Sequence, residues 1–231
     1  MKLQLPGQNG GEIMKKLKVN EIFTSFDGEV NLFGPMITTF VRFSGCNLAC
    51  KYCDTKHDTY IEMTPEEIVS KIKTDKVTFT GGEPFVQDLD ALKELFALLD
   101  RKDKYFTLET NGTIFPGSDF PYLSTLNIVL DYKLPGSGYI VPNFDEAWKD
   151  YMGFSFVKFV ISTRKDYRIA KEVAEEWTSD TYLFLPSWRI AFSPTNSPHS
   201  EVTPLMLLDW MIQDNLPYLL NLQQHKLIGA K

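Results

Sequence analysis

Residues 45–55 read GCNLACKYCDT, a C-x3-C-x2-C run made by Cys46, Cys50 and Cys53. The 231-residue chain holds no other cysteine. An odd number crowded into one short loop does not make a disulfide framework and points to metal ligation. Three thiolates on a tight loop suit three irons of a [4Fe–4S] cluster and leave the fourth iron without a protein ligand. A structural zinc is the alternative, because His57 follows closely and would complete a Cys3His set. Structural zinc usually staples two separate segments, whereas this set would knot a single loop, so the cluster is the preferred reading.

On either side of that loop the pattern alternates between strand and helix. LKVNEIF (17–23) and MITTFVRF (36–43) read as strands, the second rich in β-branched and aromatic residues. Thr64, Pro65 and Glu67 form a helix start with a capping box. KVTFT (76–80), YFTLE (105–109), NIVLD (127–131), FSFVKFVI (154–161) and TYLFL (181–185) read as further strands, with a last short one near 218–223. Leu89, Leu92, Leu95, Phe96 and Leu99 share one helical face. Further helices are expected near 165–176 and from Thr203–Pro204 to about Gln213. This order predicts an α/β fold with a mostly parallel sheet. Functional residues in such sheets gather at the carboxyl ends of strands. Four clusters stand there: Gly81–Pro84, Glu109–Gly112, Asp131–Lys133, and the segment after Leu185.

Composition narrows the function. Hydrophobic residues make up 43% and charged residues 23%, an ordinary globular balance. The formal net charge of −6 argues against a nucleic-acid partner and for a small-molecule substrate. No apolar run is long enough to span a membrane, and the N-terminus lacks the apolar core of a signal peptide, so a cytoplasmic location is expected. Residues 1–16 read as a flexible leader and 17–231 as a single domain. Gly10-Gly11-Glu12 with Met14 close behind could be a translated ribosome-binding sequence, which makes Met14 the expected natural start.

Two motifs in this order, the cysteine run with Tyr52 before its last cysteine and TGGEP at 80–84, resemble the radical SAM (S-adenosylmethionine) superfamily. That resemblance implies a partial, modified (β/α)6-type barrel, with SAM held at the open iron and its amino group met by Gly81, Gly82 and Glu83. From about Leu17 onward the chain is similar to the 7-carboxy-7-deazaguanine synthase family of queuosine and deazapurine biosynthesis, whose products enter tRNA modification. The resemblance rests on FDGE (Phe26, Asp27, Gly28, Glu29), Arg42 four residues before Cys46, Asp54-Thr55 after Cys53, and the ending QQHKLIGAK.

It implies a lyase that converts 6-carboxy-5,6,7,8-tetrahydropterin to 7-carboxy-7-deazaguanine with loss of ammonia, using SAM catalytically and Mg2+. By the same resemblance, Phe26, Asp27, Gly28, Glu29, Arg42, Thr80, His225 and terminal Lys231 bind substrate. Asp54, Thr110, Asn111 and Lys133 line the SAM site, and Thr55 holds Mg2+. A flavodoxin or ferredoxin reductant and a homodimer are also implied. The chain departs from the family in three places: Asp27 stands for Gln, Asp131-Tyr132 for Ser-Pro, and Leu185 for Gln. Two rivals share the cysteine spacing: a small activase that places a glycyl radical on a partner enzyme, and a non-catalytic zinc or iron–sulfur module.

Overall fold

The computed structural model describes residues 15–56, 58–123, 127–139, 144–180, 185–197 and 200–231. The leader and start-site expectations, His57, His199 and most of the expected strand at 181–185 therefore lie outside the described residues.

The strands are β1 (Leu17–Asp27), β2 (Met36–Phe43), β3 (Ile61–Met63), β4 (Lys76–Gly81), β5 (Tyr105–Thr110), β6 (Asn127–Tyr132), β7 (Phe156–Ile161), β8 (Ile190–Pro194) and β9 (Leu219–Leu220). The helices are α1 (Pro65–Lys71), α2 (Leu89–Asp100), α3 (Arg164–Ser179), α4 (Pro204–Gln213) and α5 (Gln224–Leu227). One sheet runs in the order β3-β1-β2-β4-β5-β6-β7-β8-β9. β1 pairs antiparallel with β2 and β3, and every pairing from β2 to β9 is parallel. Among the described residues the two ends of this order do not pair, so the sheet is an open, partial barrel, as expected.

The parallel strands are buried over most of their length, as strands covered on both faces should be. Thr64 caps α1 and closes the expected capping box with Glu67. Leu92, Leu95, Phe96 and Leu99 of α2 are buried on the sheet, and Leu89 is partly buried against them.

Three expectations need correction. First, Ile190–Pro194, in the segment after Leu185 where no strand was expected, is strand β8, paired parallel with β7. Its proline lies at the last strand position, where a missing N–H interrupts little of the ladder. Second, β7 begins at Phe156, because Glu146–Phe154 forms a 3-10 helix in the crossover from β6. Third, the C-terminal segment is no plain tail: β9 is short, and α5 follows it at once.

Candidate active site

The carboxyl ends of β4, β5, β6, β7 and β8 open into one cavity of about 250 Å3. The cysteine loop forms one side of it and the C-terminal segment another: Cys46, Cys50, Cys53, Gln223, His225, Lys226 and Lys231 all border it.

Backbone contacts fix the cysteine loop. Gly82 N donates to Phe43 O at 3.0 Å and Glu83 N to Gly45 O at 2.8 Å. Side chains add to this, with Asn111 Nδ2 donating to Asn47 Oδ1 at 3.0 Å and Asn47 Nδ2 to Thr113 Oγ1 at 2.7 Å. Lys51 N donates to Ser137 O at 2.9 Å, which ties the loop to the segment after β6. Burial pushes the Cys46 and Cys50 thiols up, while Cys53 is exposed.

Among the described residues no three Cys, His, Asp or Glu side chains gather closely enough for one ion. A four-iron cluster accepts thiolates spread over a wider cradle than a single ion does. Two buried polar atoms with no partner, Tyr52 Oη and Asp131 Oδ1, belong to residues on the cavity wall. They supply an unmet donor and an unmet acceptor beside Cys50, which fits a polar ligand such as SAM next to the cluster.

Glu83 was expected to meet the SAM amino group. It is fully buried and does not border the cavity. Its carboxylate accepts from Phe85 N at 3.0 Å, Thr110 Oγ1 at 2.7 Å and Asn111 N at 2.8 Å. The side chain thus braces the β4 turn against the end of β5, leaving Gly81 and Gly82 backbone to face a ligand.

Phe26 lies on the other face of β1 from Phe23 and Asp27. It does not border the cavity, because strand alternation places Phe23 and Asp27 on that wall instead. Phe23 stacks on Phe40 with ring centroids 5.1 Å apart, and these two rings form the aromatic surface. Gly28 is also off the wall. A Cβ there would lie 2.8 Å from both Gln224 Cβ and His225 N, so the glycine admits the C-terminal segment.

The remaining expected residues converge. Arg42 donates from Nε to Glu21 Oε1 at 3.0 Å and from Nη1 to Thr55 Oγ1 at 3.0 Å. A register shift in β1 between Val19 and Glu21 brings Glu21 opposite Arg42. Lys231 pairs with Glu21, its carbonyl accepts from Ser25 Oγ at 2.9 Å, and Lys226 pairs with Asp54. The C-terminus is thereby fastened across the cavity. Burial holds His225 below the ordinary histidine range.

Asp27, expected on the substrate, turns its carboxylate to Lys76 Nζ at 2.7 Å and Thr78 Oγ1 at 2.9 Å, while its Oδ1 accepts from Glu29 N at 3.3 Å. Partial burial acts to raise the pKa of Glu29, yet Lys158 and Gln223 hold it down at about 2. Of the departures from the family pattern, Tyr132 packs on Phe144, Phe159 and Trp177 in the core, and Leu185 is buried there too.

Sequence reading missed Lys158, Glu21, Asn221 and Gln223, and placed Glu109 only in the cluster at the carboxyl end of β5. Lys158 had a signal, a lone charge inside the apolar run FVKFVI. Glu109 borders the cavity, accepts from Thr80 Oγ1 at 2.7 Å, and is pushed up to about 7 by burial and by Glu29 and Asp27, with Lys158 opposing. Because its folded pKa lies above the unfolded one, ionised Glu109 disfavours folding above the unfolded value, fully so above pH 7. Glu109→Gln should therefore raise stability relative to the parent at pH 8, by on the order of 2 kcal/mol, and by much less at pH 4. Thermal unfolding of both chains across that range checks it; an equal difference at both pH values would refute it.

Residues 40–131 match the profile of the Radical SAM superfamily. A 7-carboxy-7-deazaguanine synthase of Methanospirillum hungatei JF-1 is 34% identical over 218 residues, covering 92% of this chain and 86% of that protein. One of Clostridium acetobutylicum is 34% identical over 223 residues, covering 91% and 95%. The crystal structure of QueE from Escherichia coli superposes with a TM-score of 0.64 at 20% identity, covering 90% of this chain and 93% of that one, and so shares the fold.

Proposed function

The chain belongs to the 7-carboxy-7-deazaguanine synthase family of radical SAM enzymes, and on that premise we propose that it converts 6-carboxy-5,6,7,8-tetrahydropterin to 7-carboxy-7-deazaguanine with release of ammonia. The observation that carries this reading is the meeting, in one cavity, of the cysteine loop, an ionised Glu29 and Arg42. Cys46, Cys50 and Cys53 hold the [4Fe–4S] cluster, with SAM against Gly81, Gly82, Thr110, Asn111, Asp131 and Lys133. Bound together, cluster and SAM supply hydrogen-atom abstraction, chemistry that no side chain here can perform.

The protein's own residues bind and orient. Glu29 accepts from the donor-rich edge of the pterin. Arg42 forks onto the substrate carboxylate. Arg42 Nη1 donates to Thr55 Oγ1, and Thr55 would hold Mg2+ through that oxygen. Phe23 and Phe40 flank the ring, and His225 with Lys231 closes the mouth and excludes water. A flavodoxin or ferredoxin reductant, a homodimer and a cytoplasmic location belong to the same reading. No helix among the described residues is long and apolar enough to cross a membrane. Residues 17–231 form the catalytic domain and 1–16 a leader. The glycyl-radical activase is not favoured, because relatives bearing the synthase name match over nearly the whole chain.

The test is anaerobic incubation of the iron-reconstituted protein with reductant, SAM, Mg2+ and the carboxytetrahydropterin. The deazaguanine and an equal amount of ammonia should appear with no net loss of SAM. SAM cleavage without that product, or a colourless protein holding one zinc, would overturn the reading.

A further inference from the structure

Four charged side chains of alternating sign run along the cavity wall. Glu29 Oε2 lies 2.9 Å from Lys158 Nζ, Lys158 Nζ lies 3.7 Å from Asp131 Oδ2, and Asp131 Oδ2 lies 3.1 Å from Lys133 Nζ. All four border the cavity, and each side chain is at most 20% exposed. The sheet builds this row. β6 and β7 are parallel with Asp131 opposite Lys158, which sets the two side chains next to each other on one face. Two-residue alternation returns Lys133 to that face and sends Tyr132 into the aromatic core.

The two middle ions are shared. Lys158 serves two carboxylates, and Asp131 Oδ2 serves two ammonium groups, while Asp131 Oδ1 is buried without a partner. With little water to screen them, a stronger contact at one end weakens the competing contact at the next link. Glu29 and Lys133 stand at opposite ends, and the proposed function places the pterin at one and SAM at the other.

We propose that the row Glu29–Lys158–Asp131–Lys133 couples the two ligand subsites, so that SAM at the Lys133 end raises the affinity for pterin at the Glu29 end. SAM carries a carboxylate that draws Lys133 away from Asp131. Asp131 then turns to Lys158, and Lys158 competes less for Glu29. The Glu29 oxygens are left freer to accept from the pterin. Linkage makes the effect reciprocal, so pterin tightens SAM by the same factor.

This inference rests on the ligand assignments above, and the experiment separates the two. The cluster-loaded protein, without reductant so that nothing turns over, is titrated with 6-carboxypterin in the absence and presence of saturating SAM. Affinity should rise about fivefold or more with SAM. In Asp131→Asn, and in Asp131→Ser, which installs the residue that the resemblance gives at this position, pterin affinity is measured alone and at a SAM concentration that saturates the variant. The SAM-dependent gain should then fall below about twofold.

Equal pterin affinity with and without SAM in the parent protein would overturn the coupling alone. A gain that survives in both variants would do the same, because it would come from direct contact between the ligands. A parent protein that binds neither ligand would overturn the ligand assignments and the coupling together.

Discussion

A Gly82→Ala chain should lose its iron and much of its stability. A Cβ on Gly82 would sit 1.7 Å from Gly45 O and 2.5 Å from Gly45 C. Both atoms are backbone, so no side chain can swing aside to relieve the clash. The hydrogen bonds from Gly82 N to Phe43 O and from Glu83 N to Gly45 O hold the two loops at this separation. Relief requires the start of the cysteine loop to shift, and Cys46 moves with it.

Forced overpacking of this kind costs about 3 kcal/mol or more. For a chain of this length that lowers the melting temperature by roughly 6 to 12 °C. Bound iron should fall from about four per chain to less than one. Gly34→Ala is the control: its added Cβ meets nothing within 4 Å, although φ is +72°. Only local backbone strain, about 1–2 kcal/mol, is expected there, with iron retained. A Gly82→Ala protein with a full complement of iron and the parent melting temperature would refute the close-approach argument.

That clash also marks the boundary of what the sequence discloses. The cysteine run, the double glycine, the capping box at Thr64 and the strand patterns are local, and local spacing is enough to read them. Why Gly82 must be glycine depends on Gly45, which reaches it only through the parallel pairing of β2 with β4. Glu83 read naturally as a ligand for an ammonium, and only the position of β5 reveals that Thr110 and Asn111 occupy its oxygens.

Asp131-Tyr132 departs from the family pattern beside Lys133, a residue that the resemblance gives to the SAM site. Strand alternation splits the pair, giving Tyr132 to the core and Asp131 to the charged row. Lys158 was visible as a charge in an apolar run, but its partner Glu29 is 129 residues away and comes from the other end of the sheet. β8 was hidden because its burial comes from neighbours β7 and β9 rather than from any alternation of its own.

Replacing Glu29 with glutamine tests the centre of the site from both the binding and the stability side. The Glu29 carboxylate accepts from Lys158 Nζ at 2.9 Å, Gln223 Nε2 at 2.8 Å and Asn221 Nδ2 at 3.4 Å. Asn221 in turn receives Val30 N at 2.8 Å, so the turn after β1, the sheet and the C-terminal segment meet at this one group. Glu29→Gln keeps the shape but removes the charge, and it brings an amide N–H face to face with a donor.

For substrate, a carboxylate built to receive two donors is exchanged for a group with one acceptor oxygen. The KM for the carboxytetrahydropterin should rise on the order of 100-fold, about 3 kcal/mol. SAM should still bind on its own. For stability, the folded pKa of about 2 lies below the unfolded value. The ionised group therefore stabilises the fold fully above the unfolded pKa, and this contribution is lost as pH falls through the folded one. The parent should exceed the variant by roughly 2–3 kcal/mol at pH 7. The gap should close steadily between about pH 4.5 and pH 2, because protonated Glu29 and glutamine are both neutral. Paired denaturant titrations across that range measure it. A gap that stayed constant down to pH 2 would show that Glu29 is not held ionised by Lys158, and would remove the electrostatic basis for pterin recognition at this end of the cavity.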